Sequence, residues 1–166
     1  MRAGVALGSN LGERVANLRH ARKDIAALSG VFPPMRVSAL YETEPVGCET
    51  GAAKFLNAAM QFEYAGEAQD LLRELAAIEK LLGRSPTHAR NVSRTIDLDL
   101  LYFGDLEIET PDLQLPHPRI TEREFVLRPL ADIRPDLVLP GQTEPVGALL
   151  LQLTGAGAVV RFAAEW

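Results

Sequence analysis

Arg94-Thr95-Ile96-Asp97-Leu98-Asp99-Leu100-Leu101-Tyr102-Phe103-Gly104 reads as a core strand that nevertheless carries two carboxylates. Strand side chains alternate between faces, which puts Ile96, Leu98 and Leu100 on one side and Asp97, Asp99 and Leu101 on the other. Aspartate is depleted in strands, and two buried carboxylates two residues apart repel each other and are costly to desolvate. The acidic face is therefore expected to be wet or to hold cations. An i, i+2 pair sets its residues roughly 6–7 Å apart, close enough to converge on one Mg²⁺ or to flank two. An isolated Asp-x-Asp also fits a solvent-facing strand, so the flanking sequence has to decide.

Just upstream, no acidic residue lies between Glu79 and Asp97, whereas Arg84, His88, Arg90 and Arg94 all fall there. A positive loop running into an acidic strand suits a metal-nucleotide site: arginine holds phosphate oxygens while carboxylates hold the metal. Before the loop, Glu67 to Leu82 carries Leu71, Leu75, Ile78 and Leu82 at helical spacing, with Gly83 as the C-terminal cap. Phe55 to Tyr64 alternates as a strand whose core face is Leu56, Ala58, Met60, Phe62 and Tyr64. Its other face carries Phe55, Asn57, Ala59 and Gln61, and an aromatic beside a carboxamide can stack on and hydrogen-bond a flat heterocycle.

Further out, Arg2 to Leu7 reads as a short buried strand. Gly8-Ser9-Asn10-Leu11-Gly12 follows, a loop whose Ser or Asn is expected to cap the helix carrying Val15, Leu18, Ile25 and Leu28. That glycine pattern lacks the Lys-Ser/Thr of a phosphate-binding Walker loop. Met35 to Thr43 alternates as a strand and leads into Glu44 to Gly51, a turn or flap. Downstream, Leu106 to Glu109 suggests a small hairpin arm. Leu115-Pro116-His117-Pro118-Arg119 forms a rigid turn, and His117, Arg119 and Arg123 within one short segment suggest a second anion-binding wall. Residues from Ala131 to Trp166 carry no catalytic signal.

The composition narrows the class. A chain of 166 residues with 47% apolar residues can bury a core as one domain. A net charge of -5 argues against a general nucleic-acid or membrane-surface binder, and there is no leader or long apolar run, so a cytoplasmic protein is expected. The single cysteine, Cys48, excludes an internal disulfide and a cysteine zinc cluster. Arginine outnumbers lysine 14 to 3, supplying planar forks suited to phosphate oxygens. The order strand, helix, strand, strand, helix, strand predicts an α+β fold, the ferredoxin-like βαββαβ antiparallel sheet with helices on one face and the active site on the other, plus a C-terminal extension. Residues 1–166 are expected to form one domain, its core spanning about 3–140.

In order and spacing, several motifs together resemble the 6-hydroxymethyl-7,8-dihydropterin pyrophosphokinase family of folate biosynthesis. They are Ala6 to Leu11, Tyr41 to Gly47, Phe55 to Ala59, Gly83-Arg84, Arg94 to Asp99, Pro116 to Arg119 and Phe125 to Leu127. The resemblance implies transfer of pyrophosphate from MgATP to the pterin hydroxymethyl oxygen with release of AMP. It implies two Mg²⁺ ions on Asp97 and Asp99. It puts Thr43, Asn57 and Asp97, with backbone groups of Glu44 and Val46, on the pterin edge, and Phe55 and Phe125 on its faces. Glu79, Arg84, Arg94, Leu100, His117 and Arg123 would surround ATP, with Arg84 and Arg94 clamping the transition state. Small-molecule substrates, no nucleic-acid or membrane partner and a monomer are the matching expectations.

Where some members carry a tryptophan and extra basic residues, this chain has Thr87, Asn91 and Val92, which bears on residues 83–93 as a lid over ATP. Two other readings use the same elements: a paralogue acting on another pterin, and a non-catalytic ferredoxin-like binding module. RNA-reading relatives of the fold place aromatics on central strands and are usually basic, whereas here the first strand carries Val5-Ala6-Leu7 in an acidic chain.

Overall fold

The computed structural model describes residues 1–45, 51–83, 93–153 and 159–166. In chain order the elements are β1 (Arg2–Ser9), α1 (Arg14–Ala26), β2 (Val31–Val37), β3 (Leu40–Thr43), β4 (Phe55–Tyr64), α2 (Ala68–Leu81), β5 (Asp97–Phe103), β6 (Ile108–Glu109), β7 (Gln114–Leu115), α3 (Glu124–Ile133), α4 (Val146–Gln152) and β8 (Val160–Ala163). The main sheet runs β5-β1-β4-β3-β8, with β2 continuing β3 along β4, and every pairing is antiparallel. Its first four strands have the ferredoxin-like order, as the element sequence predicts. β6 and β7 make the expected small arm.

The alternation read from β4 and β5 decides what each face holds. Leu56, Met60, Phe62, Leu98 and Leu100 join Leu18 and Ile25 of α1 and Leu71 and Leu75 of α2 in the larger core. α2 ends as expected, with Gly83 at a φ of 94°, a backbone conformation that favours glycine.

The opposite sheet face is only partly open, contrary to the expectation of a bare ligand face. α3 and α4 cover its far half, where Leu127, Leu130 and Val146 pack on Ala59, Leu101 and Tyr102 in a second core. The irregularity of β5 opposite Gly4 and Val5 makes this possible, because it sends Leu101 and Tyr102 to the same side. Tyr102 lies so close to Gly4 that a Cβ there would sit 2.0 Å from its ring. Beneath the helices Gln61 is buried, its Oε1 accepting from the Tyr102 hydroxyl at 2.8 Å and from Arg134 at 2.7 Å.

Three further expectations are corrected. The stretch from Met35 to Thr43 is two strands, because the register along β4 slips at Ser38-Ala39. There Ser38 Oγ accepts the Ala59 N–H and Asp132 accepts the Ala39 N–H, so side chains replace ladder bonds. Neither Ser9 nor Asn10 caps α1, whose N-cap position is Glu13 without a side-chain cap bond. Both are drawn instead to the segment before β5, where Ser9 Oγ donates to Thr95 O at 2.6 Å. Finally, the C-terminal residues extend the fold beyond the expected core of 3–140: β8 pairs with β3, and Trp166, 7% exposed, donates its indole N–H to Ser38 O at 2.8 Å.

Trp166→Ala is therefore expected to cost about 3–5 kcal/mol of stability by urea unfolding, the range for a buried aromatic truncation. A loss below about 1 kcal/mol would show that the C-terminal segment lies outside the cooperative unit.

Candidate active site

On the uncovered half of that second face, a cavity of about 720 Å³ opens between the sheet and the start of α3. Its floor comes from sheet register. Asn57 on β4, Gly8 on β1 and Asp97 on β5 stand at one level, and Ala59, Ala6 and Asp99 at the next. The central strand thus contributes only small residues between a carboxamide and two carboxylates. A Cβ on Gly8 would lie 3.3 Å from Asn57 Oδ1 and 3.9 Å from both the Asp97 Cβ and the Phe55 ring. Glycine keeps that trough open, and a glycine inside a strand pattern signals such a close approach.

One end of the cavity is built to hold a flat, polar-edged group. Phe55 and Phe125 both line it, from β4 and from α3. Asn57 is buried, and its Nδ2 donates to Thr43 Oγ1 at 2.8 Å, which fixes the amide with Oδ1 over Gly8. Thr43 and Glu44 complete this end.

The other end concentrates charge. Arg94 Nη1 donates to Asp97 Oδ2 at 2.6 Å, and both side chains are about one-fifth exposed. Asp99 has its carboxyl pushed up from the ordinary value, first by burial and then by the neighbouring Asp97 charge, with His117, Arg123 and Arg94 opposing. His117 is pushed down by burial, against the pull of Asp99. Its Nδ1 accepts the Arg119 backbone N–H at 3.2 Å, so the neutral ring carries its proton on Nε2. The His117 N–H in turn donates to Leu101 O at 2.8 Å, tying this turn to β5. Arg123 stacks its guanidinium 5.4 Å from the centre of the Phe125 ring. Two carboxylates facing three arginines and a neutral histidine can bind a polyanion together with cations.

Of the residues singled out by sequence, Thr43, Glu44, Phe55, Asn57, Arg94, Asp97, Asp99, His117, Arg123 and Phe125 converge here. Two assigned to ATP do not. The Leu100 side chain is buried on the opposite face with the larger core, as alternation with Asp97 and Asp99 requires. Glu79 is buried behind β5, where its Oε1 accepts the Leu98 N–H at 2.7 Å. Arg84 and Val46 fall outside the described residues, as does most of the expected lid over 83–93. Gly8 was not singled out by sequence, which ends the first strand at Leu7 and puts Gly8 in the loop; β1 instead runs through Ser9, because Gly8 pairs with both Asn57 and Asp97. Arg119, read only as part of an anion-binding wall, also lines the cavity.

Among the described residues no three His, Cys, Asp or Glu side chains converge on one metal position. A pair of carboxylates nevertheless fits Mg²⁺, which keeps waters and takes one or two carboxylates plus phosphate oxygens.

Residues 4–135 match the family model for 7,8-dihydro-6-hydroxymethylpterin-pyrophosphokinase. A Bacillus subtilis protein named 2-amino-4-hydroxy-6-hydroxymethyldihydropteridine pyrophosphokinase is 44% identical over 133 residues, 79% of this chain and 77% of its own. One of the same name from Methylorubrum extorquens is 41% identical over 142 residues, covering 86% and 88%. Among solved structures, wild-type Plasmodium falciparum HPPK-DHPS with pteroate superposes with a TM-score of 0.71 at 14% identity, over 91% of this chain and 42% of that one. At that identity the likeness concerns the fold.

The raised Asp99 carboxyl sets a pH dependence for the protein in metal-free buffer. Its contribution to stability is full below the ordinary carboxylate range and is lost as pH rises through the higher folded value. Asp99→Asn should therefore raise the melting temperature at pH 7 in EDTA by about 2–4 °C, the shift that ~1 kcal/mol gives in a chain of this size. The gain should shrink toward pH 4, and a variant less stable than wild type at pH 7 would refute the assignment.

Proposed function

The chain belongs to the 7,8-dihydro-6-hydroxymethylpterin-pyrophosphokinase family, ATP-dependent diphosphotransferases of folate biosynthesis, and on that premise we propose how its own cavity performs the transfer. The observation that carries the reading is the register row Asn57-Gly8-Asp97, which joins an aromatic-flanked, amide-edged slot to a carboxylate and arginine cluster in one cavity. The reduced pterin lies in the slot, between Phe55 and Phe125, with Thr43 and Asn57 and the backbone of Glu44 on its edge. Val46 keeps the edge role that the resemblance gives it. The triphosphate lies against Arg94, His117, Arg119 and Arg123, with Arg84 joining from outside the described residues.

Release of AMP means that the bond broken joins the α-phosphate to the β-phosphate. The hydroxymethyl oxygen of the pterin attacks the β-phosphorus, AMP leaves, and the hydroxyl proton passes to solvent or to a leaving oxygen. Such transfers ask the protein for alignment and charge stabilisation rather than a covalent intermediate. The residue types agree, since no nucleophile is assigned. Arg94 and Arg84 clamp the charge that develops on the transferring group, and His117 offers a neutral Nε2–H donor beside it. When bound, two Mg²⁺ ions held by Asp97 and Asp99 and by phosphate oxygens would supply charge neutralisation along the triphosphate.

Small-molecule substrates, a monomer, and no nucleic-acid or membrane partner are part of the same reading, which rests on the acidic balance of the chain and on the resemblance. No helix among the described residues is long and apolar enough to cross a membrane. A cytoplasmic site of action is part of this proposal.

Mixing the protein with MgATP and reduced 6-hydroxymethylpterin should yield AMP, and only when pterin and metal are both present. ADP would point to an ordinary kinase, and EDTA should abolish turnover. Asp97→Ala and Asp99→Ala are each expected to abolish turnover while the far-ultraviolet circular dichroism is unchanged. Turnover retained in either variant would sink the metal assignment.

A further inference from the structure

Asn10 is 2% exposed, lies in the turn between β1 and α1, and lines no part of the cavity, yet its polar groups all reach segments that do. Its Oδ1 accepts the Arg94 N–H at 2.6 Å. Its own N–H and that of Leu11 donate to Arg94 O, both at 3.1 Å. The backbone of Arg94 is thus gripped at both its donor and its acceptor, three residues before the carboxylate that its side chain meets. The Asn10 amide also donates to Ser93 Oγ and, at 3.2 Å, to Ala53 O. Ala53 stands two residues before Phe55, the aromatic at the other end of the cavity.

One buried amide therefore joins the segment before β4 to the segment before β5. This arrangement does not cap the helix that follows, since the N-cap position of α1 is Glu13, without a side-chain cap bond. We propose that Asn10 is a positioning residue with two separable arms. The Oδ1 arm aims Arg94 at the transferring phosphates, and the Nδ2 arm holds the start of β4 so that Phe55 meets the pterin. The inference rests on the proposed reaction, because it assigns Arg94 to the phosphates and Phe55 to the pterin.

The arms can be told apart by substitution. Asn10→Ala removes both, whereas Asn10→Asp keeps an acceptor for the Arg94 N–H and sets a carboxylate oxygen against Ala53 O. Asn10→Ala should lower kcat about 100-fold, the size of effect a displacement near 1 Å produces. In an Arg94→Ala background the same change should lower kcat by less than about 3-fold, because residues acting as one unit are non-additive. Asn10→Asp should hold kcat within about 10-fold of wild type while raising the pterin KM about 5-fold or more, loss of ground-state binding showing in KM.

Equal effects of Asn10→Ala in the two backgrounds would overturn the proposal, as would an Asn10→Asp variant whose kcat falls while its pterin KM stays put. If Asn10→Ala does not fold, the KM-against-kcat split of Asn10→Asp decides alone. Failure of the underlying reaction reading looks different: Arg94→Ala by itself would then leave kcat unchanged, or wild type would form no AMP.

Discussion

At the edge of the sheet the Leu98 N–H meets a buried Glu79 carboxylate oxygen 2.7 Å away, while the two aspartates on either side of Leu98 are ladder partners of Gly8 and Ala6. β5 is thereby held along both sides, by β1 and by α2. A slip of one residue would turn Leu98 and Leu100 into the cavity and drive both carboxylates into the larger core, where unpaired charge is prohibitively costly. The phase of this one strand decides which side of the sheet is chemical and which is structural. Glu79 thus serves the site from behind it.

Much of this was legible in the sequence because the relevant signals are local. The alternation of β4 separates Leu56 and Met60 from Phe55 and Asn57 without reference to any other element, and the same holds for Asp97 against Leu98. The features that were not legible depend on partners distant in the chain. Ser9 and Asn10 have the chemistry of helix caps, and the proximity of residues 93–95, more than 80 positions away, and of Ala53 diverts them. Tyr102 faces the second core because an irregularity in β5 changes its side, which no periodicity announces. Val160–Ala163 is too short to stand out as a strand and becomes one by adding to β3, with Trp166 pinned to a carbonyl at the kink of Ser38. The resemblance assigns Leu100 to ATP, and the phase of its strand turns its side chain into the larger core.

The two faces also divide the polar residues by the way each is satisfied. Under α3 and α4, Gln61 and Tyr102 find partners within the protein, and burial pushes the Tyr102 hydroxyl up to about 12, so it remains a donor. On the uncovered half, Asp99 lines the cavity beside a like charge, and desolvation together with the Asp97 charge raises its carboxyl. The raised carboxyl of Asp99 thus faces the cavity, where a ligand can answer it.

Under the proposed reaction, the ion pair between Arg94 and Asp97 would make the site a detector of coincidence. A bare phosphate that captured Arg94 would strip Asp97 of this counter-charge, and a lone divalent cation that captured Asp97 would do the same to Arg94. Either exchange takes one counter-charge from a partly buried group, which low-dielectric surroundings penalise. A cation and a phosphate arriving as one complex satisfy both partners in a single event. Under the proposed reaction, preference for metal-complexed over free nucleotide would begin in this resting pair, before any contact with the base or the sugar is made.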